Sequence, residues 1–172
     1  MMEGVRIRVA PMKFVSIVLT AVLALGSSPA IAQEDSSRCE TAEQCLNLGL
    51  QAYFTTPRAV TSARDFFQQA VNIEEDFSLA LYNLGVAEYE LGNYEAAVDA
   101  FYRAVYRGDE RWGETINKLN AMYNLGVAWV RIEDLRQAEQ IFDQVVKLSN
   151  GEHRQAVEYL EWVRSQLEEQ EN

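Results

Sequence analysis

Residues 82–105 read YNLGVAEYELGNYEAAVDAFYRAV, and this stretch carries the pattern that decides the fold. Its first half contains Leu84-Gly85, and its second half contains Ala97 and Phe101 at an Ala-x3-Phe spacing. Apolar and small residues recur in both halves at three- and four-residue steps, as on one face of an α-helix. A Gly-Asn pair between the halves is typical of a helix stop followed by a helix cap. The stretch therefore predicts two helices joined by a tight turn.

These two signatures occur three times along the chain, in the same order. An Asn-Leu-Gly tripeptide stands at 47–49, 83–85 and 124–126, and an Ala-x3-Phe segment follows it at 63–67, 97–101 and 138–142. A regular internal repeat indicates stacked copies of one helical hairpin, because a single hairpin cannot bury both of its faces. We therefore expect three helix-turn-helix units, at about 42–77, 78–111 and 119–150.

Local signals place the helices within these units. We expect the first helices at about 42–54, 78–91 and 119–132, and the second helices at about 57–73, 94–107 and 135–148. Pro57 is expected at a first helical position, where its missing N–H has no cost. Thr41 with Gln44 is typical of a capping box at the start of the first helix. A last helix is expected at about 152–168, after the Asn-Gly break at 150–151.

The units resemble tetratricopeptide repeats, helical hairpins of about 34 residues with a W-x2-L-G-x2-Y…A-x3-F…P pattern. The resemblance covers residues 42–150 and is strongest in the second unit. The third unit has Met122 and Trp129 in the leading aromatic and Tyr positions, and the first unit has Cys45 and Ala52 there. All three units lack the closing Pro. The resemblance implies an all-α fold: a right-handed α-solenoid of three units, closed by a capping helix and polar tail in 151–172.

A second apolar stripe on each first helix is rotated away from the Leu-Gly face. In the family this stripe lines a concave groove that receives extended or helical peptides. We expect Arg131 to fix the direction of the partner through an acidic group or a terminal carboxylate. The residues implied for the partner-binding groove are Leu50, Tyr53, Tyr82, Val86, Tyr89, Tyr123, Val127, Val130 and Arg131. Spacing alone shows only a shared apolar face. The alternative is that the last helix or a second copy of the chain covers it, as in a homodimer or a larger homo-oligomeric module.

Composition argues against nucleic-acid binding and against catalysis. The chain has 15 Lys and Arg against 26 Asp and Glu, a net charge of −11, whereas binding to DNA or RNA depends on clustered cations that neutralise phosphates. One His and two Cys leave little material for a metal site or for a nucleophile with its base. We therefore expect no catalytic residues, no metal and no cofactor. A thiol-redox enzyme is the disfavoured alternative, because Cys39 and Cys45 lack the C-x-x-C spacing.

Residues 1–32 are typical of a secretory signal peptide. A basic start is followed by an apolar run at 14–25 and by Ala30-Ile31-Ala32, which predicts cleavage after Ala32. The start codon is Met1 or Met12. The apolar run is shorter than the roughly 20 residues that span a bilayer, so an uncleaved membrane anchor is the weaker interpretation and no membrane span is expected after cleavage.

Export places the two cysteines in an oxidising compartment, the periplasm or the extracellular space, where pairing is the default. A short lead at 33–41 contains Cys39, just outside the first helix, and Cys45 lies inside its first turns. We expect a disulfide between them that braces the start of that helix. Together these observations predict a non-catalytic exported scaffold or adaptor that binds a partner protein or peptide.

Overall fold

The computed structural model describes residues 39–112 and 118–171, all of which belong to one unit of the chain that spans 35–172. The regular structure of these residues is entirely helical, as predicted. The helices are α1 (Ala42–Phe54), α2 (Val60–Ile73), α3 (Ser78–Glu90), α4 (Tyr94–Tyr106), α5 (Lys118–Arg131), α6 (Leu135–Leu148) and α7 (Arg154–Glu171). The signal-peptide prediction and most of the 33–41 lead lie outside the described residues.

Each helix makes its main contacts with the helix before it and the helix after it. The pairs α1/α2, α3/α4 and α5/α6 are the three predicted hairpins, and α2/α3, α4/α5 and α6/α7 join one hairpin to the next. One core of small and apolar side chains runs through all of them. This neighbour-to-neighbour packing is that of a helical repeat protein.

A phenylalanine ring explains why the two sequence signatures occur together. An ideal Cβ built on Gly85 would lie 2.7 Å from Phe101 Cδ1, and one built on Gly126 would lie 2.7 Å from Phe142 Cε1. Gly49 has the same relation to Phe67. The ring from the second helix of each hairpin therefore occupies the space that a side chain at the glycine would need.

Helix α7 closes the stack because it lacks this glycine. Ala156 and Leu160 of α7 are buried like Ala80 and Leu84 of α3, but the residue after Leu160 is Glu161, which is exposed. A ring cannot pack against the backbone at that position as it does at the glycines. Helix α7 therefore covers α6 with one face and presents charge on the other, as a terminal capping element requires.

Two helix starts show how capping side chains set the boundaries. Thr41 Oγ1 accepts a hydrogen bond from the Gln44 backbone N–H at 3.2 Å, and Gln44 Oε1 accepts one from the Glu40 N–H at 2.9 Å. The predicted capping box is thus confirmed, with its return bond one residue earlier than in the standard motif. The Asp134 carboxylate caps α6 by accepting a bond from the Gln137 N–H at 3.0 Å.

The start of α2 differs from the prediction. The helix begins at Val60, and Pro57 lies in the preceding loop after a cis Thr56-Pro57 bond. The Ala59 N–H donates to the Ala52 carbonyl at 3.1 Å, and the Thr55 hydroxyl donates to the same carbonyl at 2.7 Å. These bonds hold the loop against the end of α1, so the residues before Ala59 are not free to enter a helical turn.

Two other helix ends also differ from the sequence prediction. Helix α7 runs from Arg154 to Glu171, so the predicted polar tail is mostly helical. Asn93 stands at the N-cap of α4 but makes no capping bond with its side chain. Its Nδ2 instead donates to Glu88 Oε2 of α3 at 2.7 Å.

Cys39 and Cys45 are disulfide-bonded, with their Cα atoms 5.2 Å apart. Cys45 is fully buried in α1, and Cys39 lies before the N-cap residue. The bond therefore braces the first turn of α1. Closing so short a loop stabilises the fold by about 2 kcal/mol when the stabilisation is taken as lost chain entropy.

The loop after α4 is tied back to the first hairpin through Arg111. Its guanidinium contacts the carboxylates of Glu43, Glu74 and Asp109, with Nη1 2.9 Å from Glu43 Oε1, and its Cζ lies 4.2 Å from the centre of the Phe77 ring. These ion pairs are largely exposed, so each contributes little by itself. Together they hold Asp109 and Arg111 against the first hairpin.

Candidate functional site

A row of half-buried apolar side chains follows the first helices of the units. Leu50, Val86 and Val127 each come directly after the repeat glycine, and each packs against the core with part of its surface accessible. Val130 of α5 is half-buried in the same way. Leu50, Val86 and Val127 share one repeat register, and Val130 stands in the register of Tyr53 and Tyr89.

Helix α7 adds a member to this row that sequence reasoning missed. When Ala156 and Leu160 are matched to Ala80 and Leu84, Trp162 takes the register position of Val86. Its side chain is half-buried, and its ring lies 6.5 Å from that of Tyr159, edge to face. Aligning the last helix with the first helices of the units would have revealed it.

Tyr82 does not line an accessible groove, so the expectation that it is a groove residue is wrong. It is only 3% exposed, its ring centre lies 5.8 Å from that of Phe101, and its hydroxyl accepts a hydrogen bond from Asn124 Nδ2 at 3.0 Å. Burial raises the pKa of the Tyr82 phenol. Tyr82 therefore links α3 to α5 in the core, because the next hairpin stacks over it and supplies the hydrogen-bond donor that a buried phenol needs.

Helix α7 covers the end of the stripe at Tyr123. The Tyr123 ring lies 4.9 Å from the imidazole of His153 and 5.8 Å from the ring of Tyr159. The Tyr159 ring in turn stacks on Phe142 at 5.1 Å. Burial raises the pKa of Tyr123 and of Tyr159. Tyr123 is thus half-buried under α7. At this residue the last helix covers the stripe, as the alternative interpretation of the sequence expected.

Tyr53, at the other end of the stripe, is held in an ionic cluster. Its hydroxyl donates to the carboxylate of Glu90 on α3, and Arg58 Nη1 lies 3.1 Å from Glu90 Oε1. The Arg58 guanidinium also lies 5.3 Å from the centre of the Tyr53 ring. Burial, together with the Glu90 carboxylate, raises the pKa of Tyr53. Arg58 and Glu90 form an ion pair, so their charges cancel at this end of the stripe.

The centre of the stripe holds an arginine between two tyrosine rings. Arg131 Cζ lies 4.2 Å from the ring centre of Tyr94 and 5.7 Å from that of Tyr89, and the two rings meet edge to face at 5.3 Å. Its guanidinium donates to the Tyr94 hydroxyl and, at 3.4 Å, to the Tyr89 hydroxyl. We call these three residues the Arg131 cluster. Tyr94 was not predicted, although its place after the Gly-Asn turn puts it next to the end of α3.

No carboxylate lies within 4.0 Å of Arg131 in the part of the chain that the structure describes. Its contacts there are with aromatic rings and phenol hydroxyls, which leave its positive charge without a counter-charge. The side chain is also exposed. Arg131 is therefore an exposed cation that lies one helical turn after Val127 of the apolar row.

The histidine and the cysteines have structural partners. His153 Nδ1 accepts a hydrogen bond from the Ala156 N–H at 3.2 Å and so caps the start of α7. Both cysteines are consumed in the disulfide. Among residues 39–112 and 118–171, no group of three or more His, Cys, Asp or Glu side chains is arranged to hold a metal ion. None of the helices formed by these residues has the length and apolarity needed to cross a membrane.

Comparison with known proteins agrees with the repeat geometry. Residues 76–151 match the family model described as tetratricopeptide repeat. No curated protein sequence matches the chain.

Several solved structures share the fold. The Sgt2 TPR domain from Aspergillus fumigatus is 21% identical with a TM-score of 0.61, and the match covers 76% of this chain and 81% of that one. The second TPR domain of human RPAP3, solved with the HSP70 peptide SGPTIEEVD, is 21% identical with a TM-score of 0.59, over 72% of this chain and 94% of that one. A MamA protein is 21% identical with a TM-score of 0.59, over 72% of this chain and 62% of that one. At this identity the likeness shows a common fold.

The stacked hairpins and the row along their first helices define the class: a helical repeat protein. Residues 76–151 match tetratricopeptide repeats, and solved tetratricopeptide domains share the fold of the described residues.

Proposed function

We propose that this protein is a non-catalytic, exported scaffold that binds a peptide segment of a partner protein along α1, α3 and α5. The observation that carries the proposal is the Arg131 cluster: an exposed cation, held by two tyrosines and without a carboxylate partner in the described residues, beside a row of half-buried apolar side chains. Tyrosine and arginine, together with tryptophan, are enriched among the residues that dominate binding at protein interfaces.

The row and the cluster have different roles in this proposal. Val86 and Val127 form an apolar floor for partner side chains, and Tyr89 contributes a large contact area with little loss of rotamer freedom. Arg131 pairs with one acidic side chain or terminal carboxylate of the partner and so sets its direction. The rest of the segment is neutral or basic, because the chain has a net charge of −11.

The structure of the RPAP3 domain supports a peptide as the occupant, since that tetratricopeptide domain was solved with the peptide SGPTIEEVD. The present chain differs from a groove built around several cations: only Arg131 among the predicted groove residues is basic. We therefore propose that a single acidic group is recognised and that most of the affinity comes from apolar contact.

The test is to capture the partner by crosslinking in the native compartment, identify the crosslinked peptide, and titrate that peptide calorimetrically. Tyr89→Ala is expected to weaken binding about tenfold or more, and Arg131→Gln to weaken it and reduce its dependence on salt. Leu148→Ala is the matched control, because Leu148 is a 64% exposed apolar residue on α6, outside the row. Unchanged affinity in Tyr89→Ala and Arg131→Gln, with both variants folded, would refute the groove as the site.

Export is the second part of the proposal and has a separate test. Basic residues, an apolar run and Ala30-Ile31-Ala32 support cleavage before Gln33. Intact-mass measurement of periplasmic or secreted material is expected to show a chain that begins at Gln33. A species that retains residues 14–32 would contradict this. Sedimentation of the same material distinguishes a monomeric scaffold from the homo-oligomeric alternative.

A further inference from the structure

Most of the exposed large apolar side chains of the described residues lie on the second helices of the hairpins. Two such side chains, Phe54 and Leu91, stand at the ends of first helices. The other four within residues 39–112 and 118–171 belong to α2, α4 and α6: Ile73, Tyr102, Tyr106 and Leu148. Their exposed fractions lie between 42% and 64%. Apolar side chains concentrated on one set of helices indicate an interaction surface.

These four side chains follow one another across the second helices. The rings of Tyr102 and Tyr106 stand one helical turn apart, with their centres 4.8 Å from each other. The Tyr106 hydroxyl donates to Gln144 Oε1 on α6 at 3.1 Å, and Leu148 follows Gln144 by one turn. Ile73, at the end of α2, stands in the repeat register of Leu148. The side chains therefore mark one surface of the stack, and the row of the proposed groove lies on the other helices.

One cation and one anion without partners lie beside these side chains. Glu75 and Arg107 both line an open cleft of about 530 Å³ between the end of α2 and α4. In the described ranges neither of them has an oppositely charged group within 4.0 Å, and the Arg107 guanidinium lies 5.9 Å from the centre of the Tyr102 ring. Arg103, in the same cleft, is paired with Asp99 at 3.6 Å. The charges at the cleft therefore cancel, and one charge of each sign is left unpaired.

We call the following residues the outer patch: Ile73, Glu75, Tyr102, Tyr106, Arg107 and Leu148. Packing of the hairpins does not require its two tyrosines. Counted from the repeat alanines, polar residues hold the positions of Tyr102 and Tyr106 in the other units: Gln68 and Asn72 in the first, and Asp143 and Lys147 in the third. The stack therefore does not explain the exposed rings of the second unit.

We propose that the outer patch is the contact face of a homodimer, in which a second copy of the chain docks on it about a two-fold axis. In such a contact the same patch meets itself, so a residue on one side of the axis faces a residue from the other side. Arg107 of each copy then pairs with Glu75 of the other copy, and the tyrosine rings pack between these two ion pairs.

The charges of the outer patch select this occupant. A patch with one unpaired charge of each sign is complementary to a copy of itself, because both charges find a partner when the two patches face each other. An acidic segment would leave Glu75 without a partner, and a basic segment would leave Arg107 without one. Aromatic residues and arginine are enriched in protein interfaces, which agrees with the composition of the patch.

The net charge of the chain predicts how the dimer responds to salt. Two copies that each carry a charge of −11 repel each other at long range, and salt screens this repulsion. Exposed ion pairs contribute little to association, so most of the attraction comes from apolar contact. Association of the two copies is therefore expected to strengthen as salt rises, whereas binding through the charge of Arg131 weakens.

This dimer differs from the homo-oligomer in which a second copy covers the stripe. The outer patch lies on the second helices and the turn after α2, and it includes no residue of the proposed groove. The groove therefore stays open in the dimer. Dimerisation alone does not distinguish the two faces, so the test depends on variants of each face.

The test is sedimentation of the protein recovered from its native host, across a range of concentrations and salt. The parent is expected to show a monomer–dimer equilibrium. Tyr102→Ser is expected to weaken the dimer about tenfold or more. Arg107→Glu and Glu75→Arg are each expected to weaken it about tenfold or more, because each variant places like charges opposite each other. Circular dichroism checks that the variants keep the helical content of the parent.

Mixing the two charge variants is the decisive measurement. An Arg107→Glu copy facing a Glu75→Arg copy has opposite charges at both contacts, whereas each variant alone keeps like charges within its own cleft. The mixture is therefore expected to recover the affinity of the parent only if the contact is between copies. Arg154→Glu and Glu161→Arg are the matched controls, because they make the same charge changes at exposed positions of α7 and should leave the dimer nearly unchanged.

A monomer at every concentration, or parent affinity in Arg107→Glu and Glu75→Arg alone, would overturn the proposal. So would two impaired charge variants that do not associate when mixed. Tyr89→Ala should leave dimerisation intact, and loss of the dimer in this variant would instead assign the contact to the face of the groove. The outcome at the outer patch is therefore separate from the outcome for peptide binding.

Discussion

Tyrosines on the first helices of successive units have different structural roles. Tyr82 and Tyr123 stand at equivalent places, yet Tyr82 is sealed in the core by the next hairpin and Tyr123 is half-covered by α7. Tyr89 stays accessible and meets Arg131. What lies next in the stack decides whether a stripe tyrosine is a core residue or part of a surface.

Tyr82 should therefore affect stability and not only binding. Tyr82→Phe is expected to lower the free energy of unfolding by about 1 kcal/mol, because it removes the acceptor of the Asn124 amide. Tyr82→Ala is expected to lower it by about 3–5 kcal/mol, because a buried ring leaves a cavity. Urea denaturation followed by circular dichroism measures both values.

Tyr102→Phe is the control for these variants, because an exposed tyrosine should change stability by no more than about 0.5 kcal/mol. A Tyr82→Ala protein as stable as the parent would contradict the buried position of Tyr82.

Helix α7 is the element whose stability decides how much of the stripe is covered. Its start is capped by His153, whose Nδ1 accepts the Ala156 N–H and whose ring packs on Tyr123. Its inner face is held by Ala156, Leu160 and Val163. Fraying of the first turn of α7 would therefore loosen the contacts at Tyr123.

His153→Ala should destabilise α7 by about 0.5–2 kcal/mol, the usual effect of losing an N-cap acceptor. His153→Asn should recover part of this loss, because Asn is a good N-cap residue but cannot replace the ring. Hydrogen exchange of the α7 amides is the measurement, with the amides of α3 as the internal reference. Equal exchange of the α7 amides in the Ala and Asn variants would argue against a capping role.

The loop after α4 makes stability depend on pH through Asp109. Burial acts to raise the pKa of Asp109, but hydrogen bonds from Arg111 and from the Ser78 N–H outweigh it, so the pKa is lowered. Because the folded state favours the ionised carboxylate, this contribution is present above the unfolded pKa of about 3.9 and is lost as pH falls through the lower folded value.

Asp109→Asn should therefore remove part of the acid dependence of stability. We expect the parent chain to lose stability more steeply than the variant as pH falls below about 4. Thermal unfolding across this pH range measures the difference. Glu95→Gln is the control, because Glu95 is an exposed acid in the first turn of α4. Parallel pH profiles of the parent and Asp109→Asn would refute the assignment.

At the scale of the whole molecule, the stack combines local and distant connections. Neighbouring hairpins bury a continuous core, while Arg111 reaches Glu43, which lies 68 residues earlier in the chain. The proposed groove lies on α1, α3 and α5, the first helices of the hairpins.

The sequence by itself determined the number, order and approximate bounds of the helices. Each hairpin is encoded locally: the glycine of one helix and the phenylalanine of the next lie within a short segment, and their contact needs no distant residue. The caps at Thr41 and Asp134 depend on side chains only three residues away. Signals of this range are visible in one sequence, which is why most predicted helix ends agree with the structure.

The tertiary structure alone decided which stripe residues are accessible. Tyr82 is buried, and its hydroxyl accepts a hydrogen bond from Asn124, 42 residues later in the chain. Arg131 is held by Tyr94, 37 residues earlier. The start of α2 depends on bonds back to the end of α1, and Trp162 gains its place in the row from the stacking of α7. Periodicity defines the face on which a side chain lies, but its exposure depends on what the next hairpin places over that face.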